Sequence, residues 1–173
     1  MKCTAIALAA LAVVASSAQA APALMSAEWT AQACEYWNTN PLLTTTLYEK
    51  EWIKNDLGRG YKIVHMYRTD CGAATMTEMK IVSKDQKAIC VYGGAVQHPK
   101  MEHAADYTMH AKTAKWVEWG AGKPSTFLPM KAMMTAALKF QGPKPEAMTV
   151  MEPFAEFLIL PGKIPYDKAC PAK

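Results

Sequence analysis

The sequence lacks the short signatures that carry common chemistry. It has no GxSxG nucleophile turn, no HExxH metal pair and no glycine-rich phosphate loop. No two cysteines stand in CxxC spacing, which argues against a zinc or thioredoxin-like centre. No run of five or more basic residues occurs, and the formal net charge is only +4. Nucleic-acid binding therefore has little support. Internal repeats and low-complexity segments are also missing. Charged residues make up 20% of the chain against 51% hydrophobic. That balance excludes a disordered polar chain and fits a globular one with a full core.

The N-terminus is distinctive. Lys2 precedes an apolar run from Ala5 to Ala15, followed by Ser16-Ser17 and Ala18-Gln19-Ala20. The run is too short to span a bilayer. A charged start, a short hydrophobic stretch and a small-x-small site predict a signal peptide over residues 1–20. The rest, 21–173, is expected to be one domain with N-terminal helices and a C-terminal tail. Cys3 lies ahead of the apolar run, where lipid attachment at a cleavage site would not place it. The expected location is the periplasm or the exterior. Four cysteines then remain, Cys34, Cys71, Cys90 and Cys170. An even number in an exported chain predicts two disulfides, with three possible connectivities.

Ser26-Ala27-Glu28 can open a helix carrying Trp29, Ala33, Tyr36 and Trp37. A second helix is expected from Leu42 to Leu57, with Leu43, Leu47, Tyr48 and Trp52 on its apolar side. Three strands follow, Tyr61 to Asp70, Ala74 to Val82 and Lys87 to Gly93, with Ser83–Gln86 as a turn. Residues 105–142 read as strand, aromatic helix, Gly/Pro break, methionine-rich helix and strand. Phe127, Met130, Met133, Met134, Ala137 and Leu138 recur at three- and four-residue spacing, which assigns them to one helix face. A last helix opens at Lys144-Pro145-Glu146 and carries Met148, Met151, Phe154, Ala155 and Leu158. The fold class expected is α+β: a mostly antiparallel sheet of about five strands with helices on one face.

The phrases ADYTM (105–109) and PMKAMMTAALKFQG (129–142), the aromatic helix ending at Gly120 and the apolar helix after Gly142 carry a resemblance. Over roughly residues 60 to 160 the chain resembles the sterol carrier protein 2 family of small lipid-binding domains. The resemblance implies an apolar tunnel between sheet and helices, no catalysis and no cofactor. Its ligand would be a fatty acid, acyl lipid or sterol, with transient membrane contact. Trp116, Phe127, Met130, Met133, Met134, Phe154 and Leu158 are then the candidate lipid-binding residues. The 12 methionines concentrate on the two late helices, where they read either as ordinary core or as the adaptable wall of a lipid cavity. Two features depart from the family pattern: a signal peptide, and a cysteine content that suggests a stapled version.

Two rival functions stand beside this one. His98, Met101, His103, Met109 and His110 offer imidazole and thioether groups that could take copper. Their spacing matches no compact ligand set, so no metal site is expected. Alternatively, the fold is a scaffold for a protein partner. His65 alternates with Ile63 and Tyr67 on its strand and reads as a satisfied histidine rather than a catalyst. Neither Glu78 nor Asp106 has a paired carboxylate at a readable spacing.

Geometry narrows the disulfide choice. With Ser83–Gln86 as the turn, Val82 faces Lys87 and Cys90 faces Met79. Cys71 then lies eight residues beyond that partner, over roughly 20 Å away, whereas a disulfide needs Cα atoms about 4.4–6.8 Å apart. That disfavours Cys71–Cys90. A continuous helix from Leu42 to Leu57, lying back along the first strand, brings Cys34 towards Cys71. The expected pairs are Cys34–Cys71 and Cys90–Cys170; a shifted helix gives the crossed pairing instead.

Overall fold

The computed structural model describes residues 20–172. The expected signal peptide lies outside the described residues apart from Ala20. Helix α1, Ala27–Thr39, starts where the Ser26 hydroxyl accepts the Trp29 N–H at 3.2 Å. It ends at Asn40, ahead of Pro41. The expected long helix to Leu57 does not form. Leu42–Thr46 is a π-helical turn, α2 is the single turn Leu47–Glu49, and Trp52–Lys54 is a 3₁₀ turn. Three consecutive threonines, poor helix formers, fill positions 44–46. Glu51 takes a left-handed φ of 61° that ends the run.

Strand β1 is Tyr61–Arg68, β2 is Thr77–Lys84 and β3 is Lys87–Ala95. After a loop come β4, Tyr107–Ala111, and α3, Thr113–Gly120. Helix α4, Phe127–Met134, and strand β5, Lys139–Gln141, follow. The last two helices are α5, Lys144–Thr149, and α6, Met151–Leu158, separated at Val150. The five strands form one sheet in the order β3-β2-β1-β4-β5. The β1–β4 pairing is parallel and the other three are antiparallel. The architecture is therefore α+β with a mostly antiparallel sheet, as expected. Among the described residues no helix is long and apolar enough to cross a membrane.

The β2–β3 turn is shorter than expected. Lys84 pairs with Lys87, leaving Asp85 and Gln86 as the two turn residues, with φ of 50° and 57°. Two positive φ values match the right-handed twist of a tight hairpin. The register moves by two residues, so Cys90 faces Ile81 rather than Met79. A bulge between Lys80 and Ile81 shifts it again further along.

The disulfide pairing is corrected too: Cys34 bonds Cys90 and Cys71 bonds Cys170, with Cα–Cα distances of 5.4 and 5.5 Å. The cause is the placement of α1. It lies directly on β3, where Trp37 Nε1 donates to the Ala88 carbonyl at 2.9 Å. Asn38 exchanges two 2.8 Å hydrogen bonds with the Cys90 backbone. That clamp leaves Cys34 over Cys90 and frees Cys71 for the tail. The tail is held further by a bridge between Ala23 and Asp167 and by Arg68. Arg68 is fully buried and donates to the carbonyls of Lys168 and Ala169.

Side chains alternate across β1. Lys62, Val64, Met66 and Arg68 point towards the helices, and all four are buried. Ile63, His65 and Tyr67 point to the other face. The inward row is thus apolar in the middle and cationic at both ends.

Candidate functional site

An apolar pocket lies between the inner face of the sheet and the helices. Val64, Tyr107, Met109 and Phe140 form its sheet side. Trp37, Leu43, Leu47 and Trp52 close the N-terminal side, and Ala147, Val150, Pro153, Phe154 and Phe157 the C-terminal side. Five aromatic rings follow one another along it. Successive centroids from Trp37 through Trp52, Tyr107 and Phe140 to Phe154 stand 6.2, 5.8, 5.5 and 5.7 Å apart. The open space is narrow, a cavity of about 40 Å³. Small-molecule sites usually offer about 300–1,000 Å³, so a sizeable ligand requires the walls to move.

A polar cluster adjoins the pocket on the far side of two of its lining rings. Behind the Trp52 and Tyr107 rings sits the Lys62 ammonium, 4.4 and 5.1 Å from their centroids. It is fully buried, donates to the Trp52 carbonyl at 3.0 Å and pairs with Glu146. The Tyr107 hydroxyl donates to the same Glu146 oxygen at 3.0 Å and accepts from Trp52 Nε1 at 3.0 Å. Asn55 Nδ2 donates to the other Glu146 oxygen. Burial lowers the Lys62 pKa, and the Glu146 carboxylate opposes that shift. The Tyr107 phenol is pushed well above its ordinary value, by burial first and then by Glu146. The alternation that places His65 outward places Lys62 inward, so this group was detectable from strand periodicity. Its partner, 84 residues away, was not.

The opposite face of the sheet holds a second polar cluster. The buried Glu78 carboxylate lies 3.1 Å from His65 Nε2 and 2.7 Å from His98 Nδ1. It also accepts the backbone N–H groups of Gln97 and His98 at 3.1 and 2.8 Å. Burial pushes its pKa up, but the hydrogen bonds from His98, His65 and Gln97 outweigh this and leave it below the usual value. Those bonds fasten the loop after β3 over the sheet, so His65 is a partnered histidine. His98 is committed to Glu78, and His110 stacks on Tyr67 with ring centroids 4.3 Å apart. Met109, next to His110, points into the apolar pocket on the other side of the sheet.

Of the candidate lipid-binding residues, Phe154 stands on the pocket wall. Trp116 and Leu158 are buried in the surrounding core. Helix α4 is turned differently from expectation. Pro129 and Ala132 face inward, Met130 and Met133 are half-buried, and Phe127 and Met134 are 60% and 78% exposed. The reason is that α4 is apolar nearly all round, with Lys131 its one charged residue. Small or flat residues at 129 and 132 let that face lie close against α6, leaving the larger side chains outside.

No family model matches the chain, and no curated protein matches it. Solved structures do show likeness. A conserved hypothetical protein of Thermus thermophilus, described as a candidate sterol carrier protein, is 16% identical. It covers 90% of this chain and 99% of its own length, with a TM-score of 0.49. The UbiJ-SCP2 ubiquinone synthesis protein is 11% identical over 76% of this chain and 93% of its own, TM-score 0.41. Sterol carrier protein 2 from Yarrowia lipolytica, in its apo form, is 12% identical over 70% and 86%, TM-score 0.35.

Proposed function

We propose that the protein is an exported, non-catalytic binding protein that holds an apolar ligand between its sheet and its helices. The ligand class is a fatty acid, acyl lipid or sterol. The observation that carries this reading is the pocket lined along its length by apolar and aromatic side chains from both halves of the chain. Burial of apolar surface would drive binding, at about 25 cal/mol per Å² before the costs of association. Phe154 contacts the ligand directly. Trp116 and Leu158 support the wall from behind, and Phe127, Met130, Met133 and Met134 belong to the helix that packs against α6 behind the pocket. The two disulfides suit an oxidising compartment. Native mass spectrometry of protein purified from its own compartment tests the reading. A co-purifying lipid mass is expected. An empty chain that also fails to bind a fluorescent fatty acid would overturn it, and a copper adduct would favour the histidine–methionine alternative.

A further inference from the structure

The polar cluster behind the Trp52 and Tyr107 rings already contains a cradle for one carboxylate. Three donors from separate parts of the chain converge on Glu146: the Lys62 ammonium, the Tyr107 hydroxyl and the Asn55 amide. Glu146 belongs to α5, a helix of only six residues. The segment is broken at both ends, by Gly142 with φ 144° and by Val150 with φ −121° and ψ 36°. All the side-chain hydrogen bonds between α5 and the rest of the described chain run through Glu146. Ala147, its neighbour, lines the pocket. Glu146 therefore adjoins the pocket through Ala147 and through the pocket-lining Tyr107, whose hydroxyl it accepts.

The cavity of about 40 Å³ cannot take a lipid chain unless a wall withdraws, and α5 is a short wall segment whose side-chain bonds to the sheet all pass through one residue, Glu146. Moving it takes Glu146 away from a fully buried ammonium. An uncompensated buried charge is strongly unfavourable. A neutral lipid leaves Lys62 in that state, whereas a lipid with a carboxylate head group restores the pair. We propose that α5 is the mobile wall and that Lys62 and Glu146 select a long-chain carboxylate, whose head group takes the place of the Glu146 carboxylate on Lys62. This inference rests on the apolar-ligand reading above and narrows it.

The test uses the full chain and a neutral apolar dye, N-phenyl-1-naphthylamine, displaced by dodecanoate or by dodecan-1-ol at a pH where the acid is ionised. Dodecanoate is expected to displace the dye about tenfold more strongly than the alcohol, or better. The double variant Lys62→Met/Glu146→Leu, which leaves no orphaned charge, should keep alcohol binding and lose the preference. Glu146→Gln should strengthen dodecanoate binding by removing the competing carboxylate, and Tyr107→Phe should lower the preference for dodecanoate over the alcohol several-fold. These two single changes keep the test decisive if the double variant does not fold. Equal displacement by the two ligands in the unaltered protein, or an unchanged preference in the variants, overturns the inference and leaves the apolar-ligand reading standing. Failure of the dye and of both ligands to bind overturns the two together.

Discussion

Arg59 and Asp106 form a two-toothed ion pair, with Nη1 to Oδ2 at 2.8 Å and Nη2 to Oδ1 at 2.7 Å. The same carboxylate accepts the backbone N–H of Ile63 at 2.9 Å and of Glu102 at 3.1 Å. One fully buried side chain thus joins the turn before β1, the first residues of β1 and the loop before β4. Burial raises the Asp106 pKa, and Arg59 with the two backbone donors more than reverses that.

Asp106→Asn should therefore cost about 2–3 kcal/mol of stability near neutral pH. The pH dependence has a definite sign. Asp106 and Glu78 both have folded pKa values below their ordinary ones. The stability they add is present above the ordinary carboxylate value and is lost as pH falls through the lowered folded values. Urea unfolding at a series of pH values should show a steep acid decline in the parent and a shallower one in Asp106→Asn. Parallel profiles would remove Asp106 from the account.

The disulfides close chain segments of 56 and 99 residues. Chain-entropy estimates give about 4.2 kcal/mol for the shorter and about 4.7 for the longer, with measured values of about 2–5. The Cys34→Ala/Cys90→Ala variant should lose stability on that scale. Cys71→Ala/Cys170→Ala should in addition loosen the tail over Arg68, seen as faster amide exchange at Lys168 and Ala169. Non-reducing peptide mapping should return Cys34–Cys90 and Cys71–Cys170 peptides; a Cys34–Cys71 peptide would contradict the placement of α1.

How far the sequence reports this structure depends on where each signal resides. Strand alternation is a local pattern, and it located β1 to β4 within a few residues. The hairpin register depends on a turn written Asp85-Gln86, which lacks the glycine that marks most tight hairpins. The region 42–57 carries helical apolar spacing, but Thr44–Thr46 and the left-handed Glu51 break it into short turns. Without a continuous helix there, Cys34 is not carried towards Cys71 and bonds Cys90 instead. The pocket is assembled from residues between Trp37 and Phe157, and periodicity within one element cannot show which apolar faces will meet. For α4 periodicity also failed to choose a face, because both faces are apolar.

Met134 gives a direct test of that last point. At 78% exposed, Met134→Glu should change stability by less than about 0.5 kcal/mol. It should leave dye binding in the pocket unaltered. By contrast Phe154→Ala, on the pocket wall, should cost about 3 kcal/mol. If Met134→Glu instead destabilises by a comparable amount, α4 packs by its other face in solution.

Gly93 and Gly72 separate two reasons for needing glycine. A Cβ on Gly93 would meet the Thr30 carbonyl oxygen at 2.3 Å and Cys34 Cβ at 2.7 Å. The obstacle is the backbone of α1, which is stapled to β3 by the Cys34–Cys90 bond and cannot step aside. Gly72 has nothing within 4 Å of its Cβ position but sits at φ 88°, so an added methyl there meets strain rather than a neighbour. Gly93→Ala should cost about 2–3 kcal/mol, at the upper end for overpacking. Gly72→Ala should cost about 1–3 kcal/mol, because φ 88° with ψ 156° lies in a region essentially confined to glycine. The two should also respond differently when the Cys34–Cys90 bond is removed. Without the staple α1 can shift, so Gly93→Ala should recover part of its loss in the Cys34→Ala/Cys90→Ala background, while the Gly72→Ala cost stays the same. A double-mutant cycle by urea unfolding measures this directly. Zero coupling between Gly93→Ala and loss of the disulfide would mean that the staple does not hold α1 against the sheet.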